Sequence, residues 1–429
     1  MGTVLKGATL VELEPASVER GELRIEGGLI VERGAKVQTL DGDEVIDLAG
    51  KLVMPGLVSA HQHLYTSLAR GMPPPQVPPE NYAEQIERQW WRLDQSLDLD
   101  AVHVSAVVGA LDALAAGTTT LFDHHASSRA VSGSLTRVAR GMNEVGLRGV
   151  LSYEVSDRDG AVGREEALDE NAAFLKKAQG RFRGMVGAHA SYTLSQDALD
   201  GLGELCRTSG VGVHIHVAED PTDEKLSVEK FGSSAVERLM AAKLLNDHSL
   251  VVHCVHPSWP ELAELIGTGA WLVHCPRSNM TQQVGYAPAG RFGSRATLGC
   301  DQHPGDLFSE AQVADFRARD AGQPIDVLRY LTNGHRLASQ VFGMSIGPLQ
   351  AGSVADLVVL DYRSPTPVHA GNLAQHLASS LGARHVESVM VDGIWRMWAR
   401  RPLSVDPHVV AEHAREVSTG VWNRVAELK

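Results

Sequence analysis

The sequence contains few cysteines, and they form no pattern of a disulfide framework. Only four occur in 429 residues, Cys206, Cys254, Cys275 and Cys300, and no two of them make a C-x-x-C pair. Secreted domains that depend on disulfides carry much denser cysteine patterns. We therefore expect reduced thiols and a cytoplasmic location.

The chain also lacks an excess of positive charge and a long apolar segment. Its net charge is −13, so neither a nucleic acid nor an anionic membrane is an expected partner. No run reaches the roughly 18–20 apolar residues of a membrane-spanning helix. The first residues do not combine a basic region with an apolar one, as a secretory signal peptide does.

What the chain does have is a composition that can bury a large core, with 43% hydrophobic and 21% charged residues. Residues 1–53 alternate apolar and polar positions between glycines, which is typical of short antiparallel strands. The same alternation of apolar and polar positions returns in 344–405, where Asp392-Gly393 is a hairpin signal. The pattern predicts a small β-sandwich domain built from 1–53 and 344–405, a larger inserted domain at 54–343, and a C-terminal helix at 406–429.

The inserted region alternates apolar runs with helical patterns. Helices are expected at Asp100–Ala116 and, from a capping box of Ser234 and Glu237, at 234–245. Eight runs over this length predict an α/β fold with a (β/α)8 TIM barrel, and a doubly wound sheet is the rival. The runs are Leu57–Ala60, Thr119–Phe122, Arg148–Tyr153, Gly184–Ala188, Val211–His216, Ser249–His253, Trp271–His274 and Ala296–Cys300.

Titratable residues close nearly every run. Side chains alternate faces along a strand, so His61 and His63 point the same way. In such a barrel the catalytic residues lie at the C-terminal strand ends, so the closing residues should meet on one rim. They are His61, His63, Asp123, His124, His125, Glu154, His189, His214, His216, Glu219, His253, His274 and Asp301. This concentration favours the barrel and predicts a metal site.

The predicted metal ligands are His61, His63, His216 and Asp301. Three neutral imidazoles and one carboxylate suit one divalent ion, with Zn2+ ahead of Fe2+ or Mn2+, and leave a position for water. A bridging carboxylated lysine at the end of the fourth strand would indicate two metals, but His189 stands there. His214 shares the face of His216, and we expect it one layer deeper in the barrel.

Two further residues are predicted to be catalytic. Glu219 lies three residues past His216, where a carboxylate can carry a proton from water to a leaving group. His253 can orient the water or stabilise charge on the substrate. Asp301 can both ligate the metal and accept a proton.

Other features are less specific. The proline-rich segment Pro73–Pro79 leads to Trp90 and Trp91, which either form a lid with an aromatic wall or pack on the outer helices. Arg158 and Arg277 follow strands on the rim that carries the titratable residues. Each either contacts the substrate or faces solvent, and the sequence does not favour one of these alternatives. No cysteine pairs with a histidine, so buried thiols are expected rather than nucleophiles.

The ordered motifs of the chain resemble the amidohydrolase superfamily, in its cytosine-deaminase-like and chlorohydrolase-like branch. They are Pro55-Gly-Leu-Val-Ser-Ala-His61-Gln-His63, Gly117-Thr-Thr-Thr, His216-Val-Ala-Glu219, His253-Cys-Val-His256, His274-Cys-Pro-Arg-Ser-Asn279, Leu298-Gly-Cys-Asp301 and Gly352-Ser-Val-Ala-Asp-Leu-Val-Val-Leu. Within that branch, Trp90-Trp-Arg-Leu-Asp94 and Tyr153-Glu-Val-Ser-Asp-Arg-Asp-Gly160 are most similar to the SsnA group of aminohydrolases.

The resemblance implies a barrel of the metal-dependent hydrolase type, the same metal ligands, and catalytic roles for Glu219 and His253. It also implies a homodimer and a substrate contact at His189. Gln62, Trp90 and Asn279 are the other candidate substrate-binding residues. One departure is Cys300-Asp301-Gln302-His303, where the family usually has Thr-Asp-Gly, so the pocket or the chemistry can differ there.

These observations predict a metal-dependent hydrolytic deaminase that acts on a nitrogen heterocycle or cyclic amidine, with purine-related rings among the candidates. Metal-bound hydroxide would attack the ring carbon, and ammonia would leave. Cyclic-amide ring opening or hydrolytic dechlorination at the same site is the first alternative. A metal-binding protein without turnover is the second, although such a protein would need neither Glu219 nor His253.

Overall fold

The computed structural model describes residues 2–428. Its strands, numbered along the chain, are β1 (Thr3–Leu13), β2 (Ala16–Glu26), β3 (Leu29–Gly34), β4 (Glu44–Asp47), β5 (Leu52–Pro55), β6 (Leu57–Gln62), β7 (Thr118–His125), β8 (Arg148–Val155), β9 (Phe182–Gly184), β10 (Val186–Ala190), β11 (Val213–Val217), β12 (Leu250–His253), β13 (Trp271–His274), β14 (Ala296–Leu298), β15 (Leu357–Leu360), β16 (Val386–Val391), β17 (Ile394–Trp398) and β18 (Arg401–Pro402).

The α-helices follow the same order. They are α1 (Tyr82–Gln85), α2 (Trp91–Asp94), α3 (Leu99–Ala115), α4 (Ser134–Val145), α5 (Gly160–Lys177), α6 (Gln196–Ser209), α7 (Pro221–Phe231), α8 (Ala235–Ala241), α9 (Trp259–Gly267), α10 (Pro276–Thr281), α11 (Leu307–Asp320), α12 (Val327–Phe342), α13 (Leu373–Ser379) and α14 (Pro407–Glu427). No described helix has the length and apolar character needed to cross a membrane.

Parallel pairing from β6 through β14 forms the predicted barrel. The strand order is β6, β7, β8, β10, β11, β12, β13, β14, with β9 paired to β8. The ring closes next to the first histidines, because the backbone N–H groups of Cys300 and Asp301 donate to the carbonyl of His61 at 2.9 and 3.0 Å. The barrel is therefore confirmed, and its closure lies at the predicted metal site.

Strands from both chain ends share a second, nine-stranded sheet, as predicted. Pairing is mostly antiparallel, and β5 joins the two ends by lying between β1 and β15. The turn between β16 and β17 uses Asp392 and Gly393, both at positive φ (51° and 70°), as a tight hairpin of this type requires. The strands lie in one continuous hydrogen-bonded sheet.

Two predicted helices have slightly different limits. The first begins at Leu99 rather than Asp100, because Asp98 is its N-cap and accepts from the N–H of Ala101. The second has the predicted capping box of Ser234 and Glu237 but ends at Ala241 instead of 245. Lys243 has a positive φ of 52°, which is incompatible with a continuing helix.

Candidate active site

His61 and His63 come from β6 and are fixed through their Nδ1 atoms. The N–H of His63 Nδ1 donates to the carbonyl of His124 at 2.6 Å, and His61 Nδ1 lies 2.8 Å from His214 Nε2. Each contact places the ring proton on Nδ1 and leaves the Nε2 lone pair free, as in metal-ligating histidines. His214 lies one layer deeper, as predicted from the alternation of β11.

His216 and Asp301 complete the group. The Nδ1–H of His216 donates to the carbonyl of His189 at 2.9 Å, so its Nε2 faces the other two imidazoles. Asp301 follows β14 in a left-handed conformation, with φ 55°. A positive φ is uncommon for a non-glycine residue, and here it turns the carboxylate back over the end of the barrel.

The donor nitrogens of His61, His63 and His216 all lie within 4.8 Å of one another, and the Asp301 carboxylate approaches two of them. His216 Nε2 lies 3.3 Å from the Nε2 atoms of both His61 and His63, and Asp301 Oδ1 lies 3.4 and 3.1 Å from the same two atoms. The residues present therefore match a zinc-like ion in donor chemistry.

Burial controls the protonation of this set. It lowers the pKa of His61 to about 3 and that of His216 well below its ordinary value, so both rings are neutral, as ligands must be. Burial alone would also lower the pKa of His63, but the hydrogen bond and charge of Asp301 outweigh it and raise this pKa to about 9. A bound ion has to displace that proton.

Glu219 and His253 lie together beside the ligands. His253 Nε2 is 3.3 Å from Glu219 Oε2 and 3.8 Å from Asp301 Oδ2. The Nδ1–H of His253 donates to Asn279 Oδ1 at 3.0 Å, which leaves Nε2 as an acceptor. The strand ends that carry the pair bend sharply, because Ala218 and His253 both have positive φ (49° and 74°).

The surroundings of Glu219 favour its acid form. Burial, followed by the charge of Asp301, raises the pKa of Glu219 to about 8, although a hydrogen bond with Tyr82 opposes this. The backbone N–H of Glu219 donates to Asp223 Oδ2 at 2.9 Å. A carboxyl group with a pKa near the working pH can both give and take a proton.

These groups face one cleft of about 470 Å3, including its open mouth. Its walls combine polar groups with large aromatic rings, which is the usual character of a small-molecule site. The lining residues are His63, Tyr65, Thr66, Tyr82, Ile86, Trp90, Trp91, Glu154, His189, His216, Glu219, His253, Gln282, Asp301 and Gln302.

The structure separates the four candidate substrate contacts. His189 and Trp90 line the cleft, whereas Gln62 and Asn279 do not. Gln62 points to the other face of β6 from His61 and His63, and its amide donates to the carbonyls of Asp301 (2.8 Å) and His303 (2.6 Å). Asn279 accepts from His253. Both side chains therefore lie outside the cleft, where they hold neighbouring residues of the site in place.

Trp90 and Trp91 form a wall over the cleft. They lie between α1 and the end of α2, around a π-helical turn at Ile86–Trp90, and such turns often mark functional sites. Behind Trp91, the Arg158 guanidinium lies 5.3 Å from its ring centre and 2.7 Å from Asp94. Arg158 therefore supports the wall and does not face solvent, and Arg277 is likewise paired, with Glu310.

The residues around Asp301, where the chain departs from Thr-Asp-Gly, affect one wall of the cleft. Gln302 lines the cleft, and its Oε1 accepts from Ser278 Oγ at 2.9 Å. His303 turns away and lies 3.1 Å from Thr281 Oγ1. The four cysteines are all buried and free, as expected.

The sequence reasoning gave no functional role to Tyr82 or Glu154, which both line the cleft. Tyr82 begins the short helix α1 and touches Glu219, but no periodic pattern distinguishes it from other residues of the segment. Glu154 closes β8, so its position at a strand end was a usable signal.

Residues 52–396 match the amidohydrolase family over most of the chain. This chain belongs to the amidohydrolase family. The match covers the barrel and the strands on either side of it.

Several curated relatives of this amidohydrolase align along nearly the whole chain. It is 28% identical to a 5-methylthioadenosine/S-adenosylhomocysteine deaminase of Pelotomaculum thermopropionicum, over 98% of this chain and 99% of that protein. It is also 28% identical to a 5′-deoxyadenosine deaminase of Methanosarcina mazei, with the same coverage of both chains.

Solved structures share the fold. An adenosine deaminase from Xanthomonas campestris with bound zinc has a TM-score of 0.87 at 22% identity, over 99% of both chains. The atrazine chlorohydrolase of Arthrobacter aurescens complexed with zinc has a TM-score of 0.82 at 19% identity, over 97% of this chain and 100% of that one. The predicted family, barrel and class of hydrolase acting on carbon–nitrogen bonds are confirmed.

Proposed function

We propose that this amidohydrolase removes the exocyclic amino group of an adenine nucleoside or a closely related purine by hydrolysis. The observation that carries the proposal is the placement of Glu219 and His253 beside three histidine nitrogens and the Asp301 carboxylate in one cleft. The curated relatives along the whole chain act on adenosine derivatives, as their names state.

In the reaction, water adds to the ring carbon that bears the amino group. Overall, the two protons of the water account for the one on the ring nitrogen and the one gained by the departing nitrogen, so a carbonyl and ammonia form. Glu219, as an acid near neutral pH, donates to the ring nitrogen. Its carboxylate then takes the first proton from water and passes it to the leaving group, and the second water proton, accepted by Asp301 as the carbonyl forms, restores the acid form of Glu219.

The other two groups position this transfer. His253 offers Nε2 to Glu219 and, held by Asn279, fixes the orientation of the carboxyl group. Asp301 presents its second oxygen, Oδ2, to the same space and can accept a proton. The three groups thus share one proton pathway next to the reacting carbon.

We also propose one Zn2+ per chain, held by His61, His63, His216 and Asp301. When bound, such an ion lowers the pKa of water toward about 7 and so supplies a nucleophile at neutral pH. The three imidazole nitrogens among the donors support zinc over Ca2+ and Mg2+, which prefer oxygen ligands.

The aromatic walls support a flat ring as substrate. Tyr65, Tyr82, Trp90 and Trp91 surround the cleft with π faces and edges, against which a purine can pack. A homodimer, a cytoplasmic location and the domain limits at 53/54 and 343/344 are parts of the proposal that rest on the sequence alone.

The test is ammonia release by purified protein of known metal content. The panel contains 5′-methylthioadenosine, S-adenosylhomocysteine, 5′-deoxyadenosine, adenosine and guanine, with triazines and cyclic amides as outgroups. We expect release from adenine nucleosides, lost in Glu219→Gln while the metal stays bound. Chloride or a ring-opened acid without ammonia would favour the first alternative, and no product with metal bound would favour the non-catalytic one.

A further inference from the structure

Glu154 places a second carboxylate in the cleft, away from Glu219. It lies at the C-terminal end of β8, its side chain is only 5% exposed, and it lines the cavity. One of its oxygens lies within 4.8 Å of ring nitrogens of His124 and His216. The carboxylate is therefore next to the proposed metal ligands without being one of the four.

Within residues 2–428, Glu154 has a single close polar partner. His124 Nδ1 approaches its Oε2 at 3.5 Å, which is long for a hydrogen bond. His124 itself is fixed, because its Nε2–H points at the carbonyls of Ala188 and His214, both 3.1 Å away. Because the carboxylate lines the cleft, its oxygens can accept hydrogen bonds from a bound ligand.

The neighbours of Glu154 affect its pKa differently from those of Glu219. Burial alone would raise its pKa, but His189, His124 and Arg158 outweigh burial and hold the pKa of Glu154 well below its ordinary value. Burial instead raises the pKa of Glu219, whose polar neighbours are His253, Tyr82 and Asp223. The cleft is thus lined by two carboxyl groups, Glu154 and Glu219, whose pKa values are shifted in opposite directions.

We propose that Glu154 selects the leaving group: it accepts a hydrogen bond from the amino group on the reacting carbon and disfavours a chlorine there. The inference rests on the proposed function and deepens it, because it separates deamination from dechlorination. An amino group offers N–H donors, and its nitrogen gains a proton and positive character as the carbon–nitrogen bond breaks. Chlorine offers no donor and leaves as an anion, which a fixed carboxylate repels.

Both reactions add water to the same carbon. In deamination the carbon–nitrogen bond breaks and ammonia carries away one proton. In dechlorination the carbon–chlorine bond breaks, and chloride and a proton leave separately. Glu219 serves the ring nitrogen in either case, so its loss should slow both reactions, whereas loss of the Glu154 charge should slow only deamination.

The experiment compares kcat/KM for the best purine of the panel and for its 6-chloro analogue, in metal-quantified wild type, Glu154→Gln and Glu219→Gln. Glu165→Gln, an exposed carboxylate on α5, is the control for a distant charge change. A parallel titration measures the affinity of the amino and chloro ligands in the Glu219→Gln background, with and without Glu154→Gln.

We expect Glu154→Gln to lower deamination about tenfold to a hundredfold, the range for a hydrogen bond to a charged group, and to shift the amino-to-chloro ratio by a similar factor. The amino ligand should bind more weakly and the chloro ligand should not. Glu219→Gln should lower both rates together.

Three results would overturn the inference. Equal losses on both substrates in Glu154→Gln, with deamination by the wild type intact, would leave Glu154 a structural role only. A second metal per chain that disappears in Glu154→Gln would make this carboxylate a ligand. No ammonia from any ring with the wild type would remove the proposed function, and this inference with it.

Discussion

Each end of strand β8 buries a charged side chain, and the two side chains differ in the partners around them. Arg148, at the amino end, is 1% exposed and lies 3.3 Å from both carboxylate oxygens of Asp356, with Asp392 as a further partner. Glu154, at the carboxyl end, has among residues 2–428 one ionic contact, with His124 at 3.5 Å. Arg148 joins the barrel to the second sheet, and Glu154 faces the cleft.

The carboxyl ends of the barrel strands also hold strained backbone and polar atoms without partners. At the carboxyl ends, Ala218, His253 and Asp301 adopt positive φ, and buried polar atoms of His124 and Asn279 lack hydrogen-bond partners. Backbone strain and unsatisfied polar groups cost stability and persist where function requires them. Mutations at the two ends should therefore have different consequences.

The largest effect is expected from His63→Ala at the carboxyl end. Removing one of four donors should abolish metal binding, and activity should fall to the assay background. Metal content by plasma mass spectrometry and ammonia release check this. Retained stoichiometric metal with full activity would show that His63 is no ligand.

Glu219→Gln should come next, lowering kcat by about 10²–10⁴ through loss of proton transfer. Because the amide keeps the size of the side chain, the metal content and the melting temperature should stay near those of the wild type. A melting temperature that falls with the activity would indicate misfolding rather than lost chemistry.

Arg148→Met tests the amino end. It leaves Asp356 buried without its cation, so unfolding should become easier by about 3–5 kcal/mol, while activity per folded molecule is unchanged at low temperature. The matched control is Arg140→Met, which breaks an exposed pair with Glu144 worth about 0–1 kcal/mol. Denaturant titration measures both; equal effects would contradict the comparison.

The smallest effect is expected at Asn279, which only orients His253. Asn279→Leu should lower kcat about tenfold with KM nearly constant, because the His253 ring loses its acceptor. Asn279→Asp keeps an acceptor at the same place and should restore most of the rate. Equal losses in both variants would point to packing instead of orientation.

Much of the difference between the two ends of the barrel was predictable from the sequence. Strand period and strand ends predicted the barrel and brought His61, His63, His216, Glu219, His253 and Asp301 to one rim. The same period places Gln62 on the opposite face from its neighbours, so its position outside the cleft could also have been predicted.

Other features depend on tertiary context. Tyr82 reaches Glu219 only because a short helix and a π-helical turn fold back over the rim. Asn279 acts on His253 through a contact between different barrel units, and no local pattern predicts its direction. The pKa of Glu154 is lowered by His189 and His124, which are distant in sequence, and by Arg158.

The central claim, that a metal at the carboxyl rim and Glu219 together deaminate a purine, is tested most directly by titrating metal-free protein with Zn2+ while following ammonia release from an adenine nucleoside. We predict a rate that rises linearly to a break at one ion per chain, and no rise in Glu219→Gln although the ion binds equally. Ammonia release that is independent of zinc, or equal in Glu219→Gln, would contradict the account.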